Sequence, residues 1–359
     1  MSKIEWTDAT WNPTRRCRRV SPGCENCYAE KMAHRFSGPG LPYEGLIQIG
    51  KQGPRWNGEG RFVPDTLDAP LHWRDPSYIF VNSMSDLFFE RFSNEEIAAV
   101  FGVMAACPQH AFQVLTKRPG RALQWFAWLK REASTVNAGR GMSEAAYCLA
   151  MAQKQCSDVK LAQNVDKTCA RPWPLPNVWI GVSVEDQQRA NERIPQLLRI
   201  PAAVRFVSYE PALGPVDWTH ILLQKSVDLG PDVTVNALYR WYGGALEGQR
   251  THIEWLIVGG ESGPDARPFD LAWARSAVQQ CQDAGVAVFV KQLGAVPVNG
   301  PGNRCPLTAA AMTRSGRIDA AVTDDGQGLD VVPRIRLRDS KGGDWSEWPQ
   351  DLRIREFPQ

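Results

Sequence analysis

Three cysteines crowd one short stretch near the N-terminus, Cys17-Arg18-Arg19-Val20-Ser21-Pro22-Gly23-Cys24-Glu25-Asn26-Cys27-Tyr28, a C-x6-C-x2-C spacing followed by a helical segment through Phe36. In a reducing compartment, clustered cysteines point to metal binding or catalysis before disulfides. Three thiolates from one loop can hold three irons of a cubane [4Fe-4S] cluster and leave the fourth iron open to an external ligand. A closed structural site needs four protein ligands instead. His34 is the nearest candidate for the fourth, so a Cys3His zinc site is the competing reading. The chain has 9 cysteines, and the other six, Cys107, Cys148, Cys156, Cys169, Cys281 and Cys305, are scattered. Cys148, Cys156 and Cys169 share one long insertion and could hold an auxiliary cluster. Their gaps are wide, however, and Cys148 falls on an ordinary helical pattern over Glu144 to Gln155. Cys107 and Cys281 lie on predicted helices and read as packed core thiols.

A second set of candidates follows from the elements that must position it. Short apolar, β-rich runs end in polar or glycine residues, and most are followed by helical patterns, the alternation of a parallel sheet. Strands are predicted at Tyr78 to Asn82, Phe112 to Leu115, Val178 to Val182, Val204 to Val207, Trp255 to Val258 and Val286 to Val290, with a short first strand near Ile4 to Trp6. Helices are predicted over Ile97 to Ala106, Arg121 to Glu132, Asp186 to Arg199 and Leu271 to Ala284. Ser93 and Glu96 form a capping box before the first of these, Pro195 restricts the third, and Gly285 stops the last. The fold class is therefore α/β, a partial (β/α) barrel of six or seven parallel strands over residues 1–294. Insertions interrupt it at about 133–176 and 215–254. An irregular C-terminal extension over 295–359 caps it through Trp345, Trp348 and Phe357. No internal repeat or low-complexity tract is present.

In parallel α/β folds, functional groups sit just beyond the carboxyl ends of the strands. Those positions read Ser83-Met84-Ser85-Asp86, Thr116-Lys117-Arg118, Ser183-Val184-Glu185, Ser208-Tyr209-Glu210-Pro211, Gly259-Gly260-Glu261-Ser262-Gly263 and Lys291-Gln292. Carboxylates, cations and hydroxyls recur at one structural level. Loops are polar in any case, so ion pairs within a barrel mouth are the plain alternative for each residue.

Composition bounds the rest. The chain has 359 residues, 43% apolar and 22% charged, with 41 Lys+Arg against 39 Asp+Glu. That excludes global disorder and a strongly basic nucleic-acid coat, though not a local basic groove. No apolar stretch approaches the roughly 18 residues of a membrane span. Met1 to Pro13 has no apolar leader, so a cytoplasmic location is expected.

The cysteine loop ahead of a partial barrel resembles the radical S-adenosylmethionine (SAM) superfamily. The chain as a whole more closely resembles a phage- and prophage-associated radical-SAM-like family. The matching segments are Ile4 through Thr7, Ser21 through Ala29, Gly53 through Trp56, Phe80 through Leu87, Phe112 through Pro119, Pro176 through Glu185, Arg205 through Val216 and Val258 through Pro264. Two features depart from the superfamily's commonest pattern. Its first cysteine gap is three residues, and its Gly-Gly-Glu after the second strand is replaced by Ser83-Met84-Ser85-Asp86.

The resemblance implies that Cys17, Cys24 and Cys27 ligate a [4Fe-4S] cluster whose open iron is chelated by SAM. An external electron donor would drive cleavage to a 5′-deoxyadenosyl radical that abstracts a substrate hydrogen. Ser85 and Asp86 would meet the SAM amino group, Lys117 its carboxylate, and Glu185 or Glu210 its ribose, with Ser183 at the same mouth. Glu261 and Lys291 are candidate acid/base groups toward substrate. Isomerase, lyase and transferase outcomes all stay open. Phage association points to a DNA or nucleotide substrate, with a substituent on thymine as the leading case, in the host cytoplasm if the chain is phage-encoded. Arg15, Arg16, Arg18 and Arg19 beside Cys17, and Lys51, Arg55 and Trp56, offer cationic and stacking groups for such a partner. The alternative is that these arginines offset cluster charge or pair with acidic neighbours. The competing function is a non-catalytic zinc or iron–sulfur nucleic-acid-binding protein.

Overall fold

The strands form where apolar runs can be buried on both faces. In a computed structural model of the chain, residues 4–51, 53–136, 141–163, 165–224, 232–239, 251–299, 303–304, 320–324 and 329–358 are described. Seven strands build one sheet: β1 (Ala9–Trp11), β2 (Tyr78–Val81), β3 (Ala111–Thr116), β4 (Val178–Ser183), β5 (Val204–Tyr209), β6 (Trp255–Gly259) and β7 (Ala287–Gln292). Their spatial order is their sequence order, and the sheet is a parallel, curled half-barrel. Every residue of β4 and β6 is buried, as strands of a parallel sheet covered on both faces require. The fold class is thus α/β with seven parallel strands.

The curl can be checked from one side chain. The Trp6 ring lies 4.7 Å from Phe80 on β2 and 6.4 Å from Phe206 on β5. The Phe80 and Phe206 rings are therefore no further apart than the sum of those distances. Three strand steps of about 4.8 Å across a flat sheet would hold them about 14 Å apart. Trp6 is thus a core residue; the first strand lies at Ala9–Trp11, not at Ile4 to Trp6, and it pairs Ala9 with Ile79 and Trp11 with Val81.

The helices between strands are α1 (Tyr28–Arg35), α2 (Asn94–Ala106), α3 (Pro119–Thr135), α4 (Glu144–Gln155), α5 (Gln187–Leu197) and α6 (Leu271–Ala284). Both halves of the Ser93/Glu96 capping box are present, with Glu96 N donating to Ser93 Oγ at 3.1 Å and Ser93 N to Glu96 Oε2 at 2.8 Å. Helix α4, within the first insertion, packs directly on α2. A Cβ on Gly102 would stand 2.2 Å from the Cys148 carbonyl oxygen, so only glycine permits this approach. The second insertion contains an antiparallel pair, Ile221–Gln224 with Val233–Val235. Residues 225–231 and 240–250 of that insertion, and Cys305, lie outside the described residues.

Two compact units divide the chain. The first is Met1–Ser183, Arg193–Phe206 and Gly244–Glu247, and the second is Val184–Glu192, Val207–Gly243 and Gly248–Gln359. Within the second, Phe357 stacks on Trp255 at 5.2 Å and Trp348 is 2% exposed. The Arg355 guanidinium lies over Phe289, Trp345 and Trp348, so the C-terminal segment is anchored by aromatic rings. No helix among the described residues is long and apolar enough to cross a membrane.

Candidate functional site: a cysteine loop fastened to the ends of β2 and β3

The cysteine loop and the segment after β2 hold each other. Ser85 Oγ donates to the Thr14 carbonyl at 2.8 Å and lies 2.9 Å from Thr14 Oγ1. Met84 N donates to Asn12 Oδ1 at 3.0 Å, and the Tyr28 hydroxyl donates to the Ser83 carbonyl. Ser85 is therefore a fastener of the loop that leads into Cys17. Cys24 closes a 3-10 turn over Pro22–Cys24, and Cys27 sits at the N-cap of α1. Beneath them Ala29, Ala33, Leu46, Trp56 and Met84 form a small core against which Cys17 and Cys27 pack.

Electrostatics at the thiols oppose one another. Burial pushes the Cys17 thiol up to about 12, reinforced by Asp86 and countered by the Arg118 guanidinium. Burial also raises Cys27, against the Ala29 amide at the start of α1 and the Lys117 charge, which both pull it down. Metal-free, these thiols hold their protons, and loading a metal must displace them.

Asp86 organises the neighbouring strand end. Its Oδ1 accepts from Thr116 Oγ1 at 2.8 Å and Phe88 N at 3.0 Å, while Oδ2 accepts from Lys117 N and Arg118 Nη1, both at 3.0 Å. Four acceptor sites are thereby filled. The carboxylate read as a SAM-amino contact is, in this structure, committed to holding the β3 loop and Arg118. Arg118 in turn donates to Glu90 Oε1 at 3.0 Å, to the Arg18 carbonyl at 2.9 Å and toward Cys17 Sγ at 3.7 Å. Its guanidinium, kept charged despite burial by its ion pairs with Asp86 and Glu90, is the main fixed positive charge at Cys17.

The four arginines around Cys17 diverge. Arg19 pairs with buried Glu30 at 3.0 and 2.5 Å, Arg15 donates to the Pro42 carbonyl at 2.8 Å, and Arg18 is exposed. Arg16 is buried at 4% exposure with φ at +128°, its guanidinium 4.2 Å over the Phe89 ring. Its Nε and Nη1 are buried without a hydrogen-bond partner. Asn82, at the end of β2 with φ at +62°, likewise leaves both side-chain amide atoms buried and unpartnered. Sequence reasoning singled out neither Asn82 nor Arg118, though both stand at the strand-end positions where function was sought. Trp56, read as a stacking surface, is instead buried in the small core, with its amide on Glu30 Oε1 at 3.3 Å. It offers no platform to a base.

The second unit has a different character. Lys291 Nζ donates to Glu210 Oε1 at 2.6 Å, and Gln292 Nε2 joins the same oxygen at 3.2 Å. Glu261 is bound by Arg267 through Nε at 3.0 Å and Nη2 at 2.8 Å, with the Arg267 amide also on Oε2 at 3.0 Å. This bidentate pair closes the glycine loop after β6. A Cβ on Gly260 would stand 2.8 Å from the Leu293 carbonyl oxygen, so the loop backbone lies directly on the segment after β7. Glu185 is wholly buried and leaves no surface for a ribose; of the two carboxylates read for that role, only Glu210 keeps some exposure. Buried Ser183, in the first unit, accepts from Arg193 through its carbonyl at 2.7 Å.

Four-coordinate zinc at about 2.3 Å per thiolate needs sulfurs roughly 3.8 Å apart. Among the described residues, Cys17, Cys24 and Cys27 do not form a group with all ligand atoms within 4.8 Å, and His34 is exposed. Cys148 is buried within α4 and Cys107 is buried at the end of α2, each thiol raised by burial. Cys156 and Cys169 are only partly buried, so Cys148 does not share their setting.

No curated protein and no solved structure matches the chain. Residues 1–333 match the family model described as "Protein of unknown function (DUF5131)", and the chain belongs to that family.

Proposed function

We propose that the chain is a radical SAM enzyme in which Cys17, Cys24 and Cys27 hold a [4Fe-4S] cluster. The observation that supports this most is the charge at the cysteine loop. Arg16 leaves Nε and Nη1 buried and unpartnered one residue before Cys17, and Arg118 donates toward Cys17 Sγ. Leaving nitrogens of a buried guanidinium without partners is costly, by about 1–3 kcal/mol per group. A thiolate-ligated cluster is the anion that relieves it.

When bound, the cluster and SAM supply an open iron and a 5′-deoxyadenosyl radical for hydrogen abstraction. The chain's own residues do the rest. Ser85 fixes the cysteine loop to the end of β2, and Asp86 fixes Arg118, which sets the field at Cys17. Lys117, whose charge reaches Cys27, would pair with the SAM carboxylate. Asn82 offers a donor and an acceptor to the bound nucleoside or amino acid portion. In the second unit Glu210 and Lys291 present a carboxylate and an ammonium 2.6 Å apart, between which a substrate proton can move. Glu261 serves as a positioning residue through Arg267. A thymine-type base in DNA is the proposed substrate class, on the resemblance alone. A duplex base would need to be flipped out to react.

The test is anaerobic reconstitution with iron and sulfide, reduction in the presence of SAM, and chromatography for 5′-deoxyadenosine. Stoichiometric zinc and no 5′-deoxyadenosine from folded protein would favour the nucleic-acid-binding alternative.

A further inference from the structure

A second group of metal-ligating side chains lies on other elements of the first unit. Asp68, His72 and Asp158 place one ligand atom each within 4.8 Å of one another. His72 Nε2 lies 2.7 Å from Asp158 Oδ2, and the Cys156 thiol, raised by burial and by the Asp68 and Asp158 charges, lies beside these carboxylates. The four donors come from two segments 84 to 90 residues apart in sequence, reckoned from His72 to Cys156 and from Asp68 to Asp158. Asp68 and His72 bracket the 3-10 turn Ala69–His72; Cys156 ends α4 and Asp158 precedes the short helix Val159–Gln163.

Asp68 occupies the N-cap position of its turn but makes no side-chain cap bond, so its carboxylate faces this cluster and not the free amides beside it. The Lys160 ammonium donates to the Leu71 carbonyl at 2.7 Å, and the Lys160 amide to Asp158 Oδ1 at 2.7 Å, which holds the two segments in register. Lys160 thus fixes the approach, while an imidazole nitrogen and two carboxylates converge with the Cys156 thiol beside them.

We infer that Asp68, His72, Cys156 and Asp158 form a site for a divalent metal of the zinc class, independent of the N-terminal cysteine loop. The mixed donor set decides the metal. Calcium and magnesium take oxygen donors alone, whereas a thiolate with an imidazole selects zinc or a like borderline ion. Four protein ligands make a closed, structural site, reached when Asp68, His72 and Asp158 draw together and the Cys156 thiol, outside their present group, moves in to complete tetrahedral coordination at about 2.0–2.3 Å. Binding would displace the thiol proton of Cys156 and fasten the first insertion to the segment before β2. The auxiliary cluster considered for Cys148, Cys156 and Cys169 gives way to a site that uses Cys156 alone of the three.

The test uses cobalt(II) as the probe on the full chain carrying C17S/C24S/C27S, which removes the other proposed metal site. The expected result is one cobalt per chain, with tetrahedral visible bands and a thiolate-to-cobalt charge-transfer band that disappears in C156S. H72A and D158N should each weaken binding by more than the about 10–100-fold that loss of a merely supporting hydrogen-bond partner costs a metal site. In the otherwise wild-type chain, H72A, which removes an exposed side chain, should lower bound zinc by one per chain without altering iron uptake. Cobalt that fails to bind, or binds equally well in H72A and D158N, would overturn the inference. Failure of iron–sulfur reconstitution alone would leave these results unchanged.

Discussion

The strand ends of the two units use similar residue types to opposite effect. After β5, β6 and β7, charge is matched within the protein: Lys291 and Gln292 converge on Glu210, and Arg267 grips Glu261 with three hydrogen bonds. After β2 and β3, Asp86 is equally saturated, yet Arg16 and Asn82 beside it keep buried polar atoms without partners. Proteins seldom leave such groups unsatisfied, because each costs about 1–3 kcal/mol. The contrast teaches that polar strand ends alone do not mark chemistry. The buried polar atoms left without partners beside the cysteines are what the proposed cluster site rests on.

The largest effect expected from breaking this contrast lies at Asp86. Asp86→Ala leaves Arg118 buried with its main counter-charge gone, and a thermal or denaturant melt should show a loss of about 3–5 kcal/mol. Iron uptake should fall with it. A near-neutral Asp86→Ala would mean that the buried pair does not organise the loop.

Arg16 gives a prediction whose sign changes with loading. In metal-free protein, Arg16→Met removes two buried donors that lack partners, so the melting temperature should hold or rise by the equivalent of about 1–3 kcal/mol. After anaerobic reconstitution the same variant should retain less iron and show a more negative cluster potential, because a nearby positive charge has been lost. Equal iron content and potential in Arg16→Met and wild type would remove the main support for an anionic cluster at this loop.

The smallest effect is expected in the second unit. Lys291→Met breaks a partly exposed pair, whose side chains are 16% and 17% exposed. Stability should fall by no more than about 1 kcal/mol. Iron content and substrate-free SAM cleavage should be unchanged, while turnover of the substrate falls. Loss of iron in Lys291→Met would erase the distinction between the two regions.

Much of the scaffold was legible because its signals are local. Six strands stood out as apolar runs with polar ends. Helix α6 was bounded by Leu271 and by Gly285, which adopts the left-handed conformation of a C-terminal stop. Strand β1 was misplaced because Ala9-Thr10-Trp11 is short and weakly apolar, whereas Trp6 in the preceding segment looked more strand-like. Trp56 was misread because aromatic and basic neighbours signal stacking only when the ring is exposed. Most of the site's wiring was not legible. Asp86 meets Arg118 across 32 residues and Glu210 meets Lys291 across 81. Such partners are chosen by the order of strands in the sheet, which no local pattern records. The cysteine loop was legible as a cluster because its three cysteines fall within an 11-residue span.

The most direct test of the account compares wild type with Cys24→Ala in anaerobic reconstitution, followed by reduction with SAM and chromatography. Wild type should acquire a [4Fe-4S] cluster and release 5′-deoxyadenosine, while Cys24→Ala keeps its fold and yields neither. Release of 5′-deoxyadenosine at the wild-type rate by Cys24→Ala, or its absence from fully reconstituted wild type, would contradict the account.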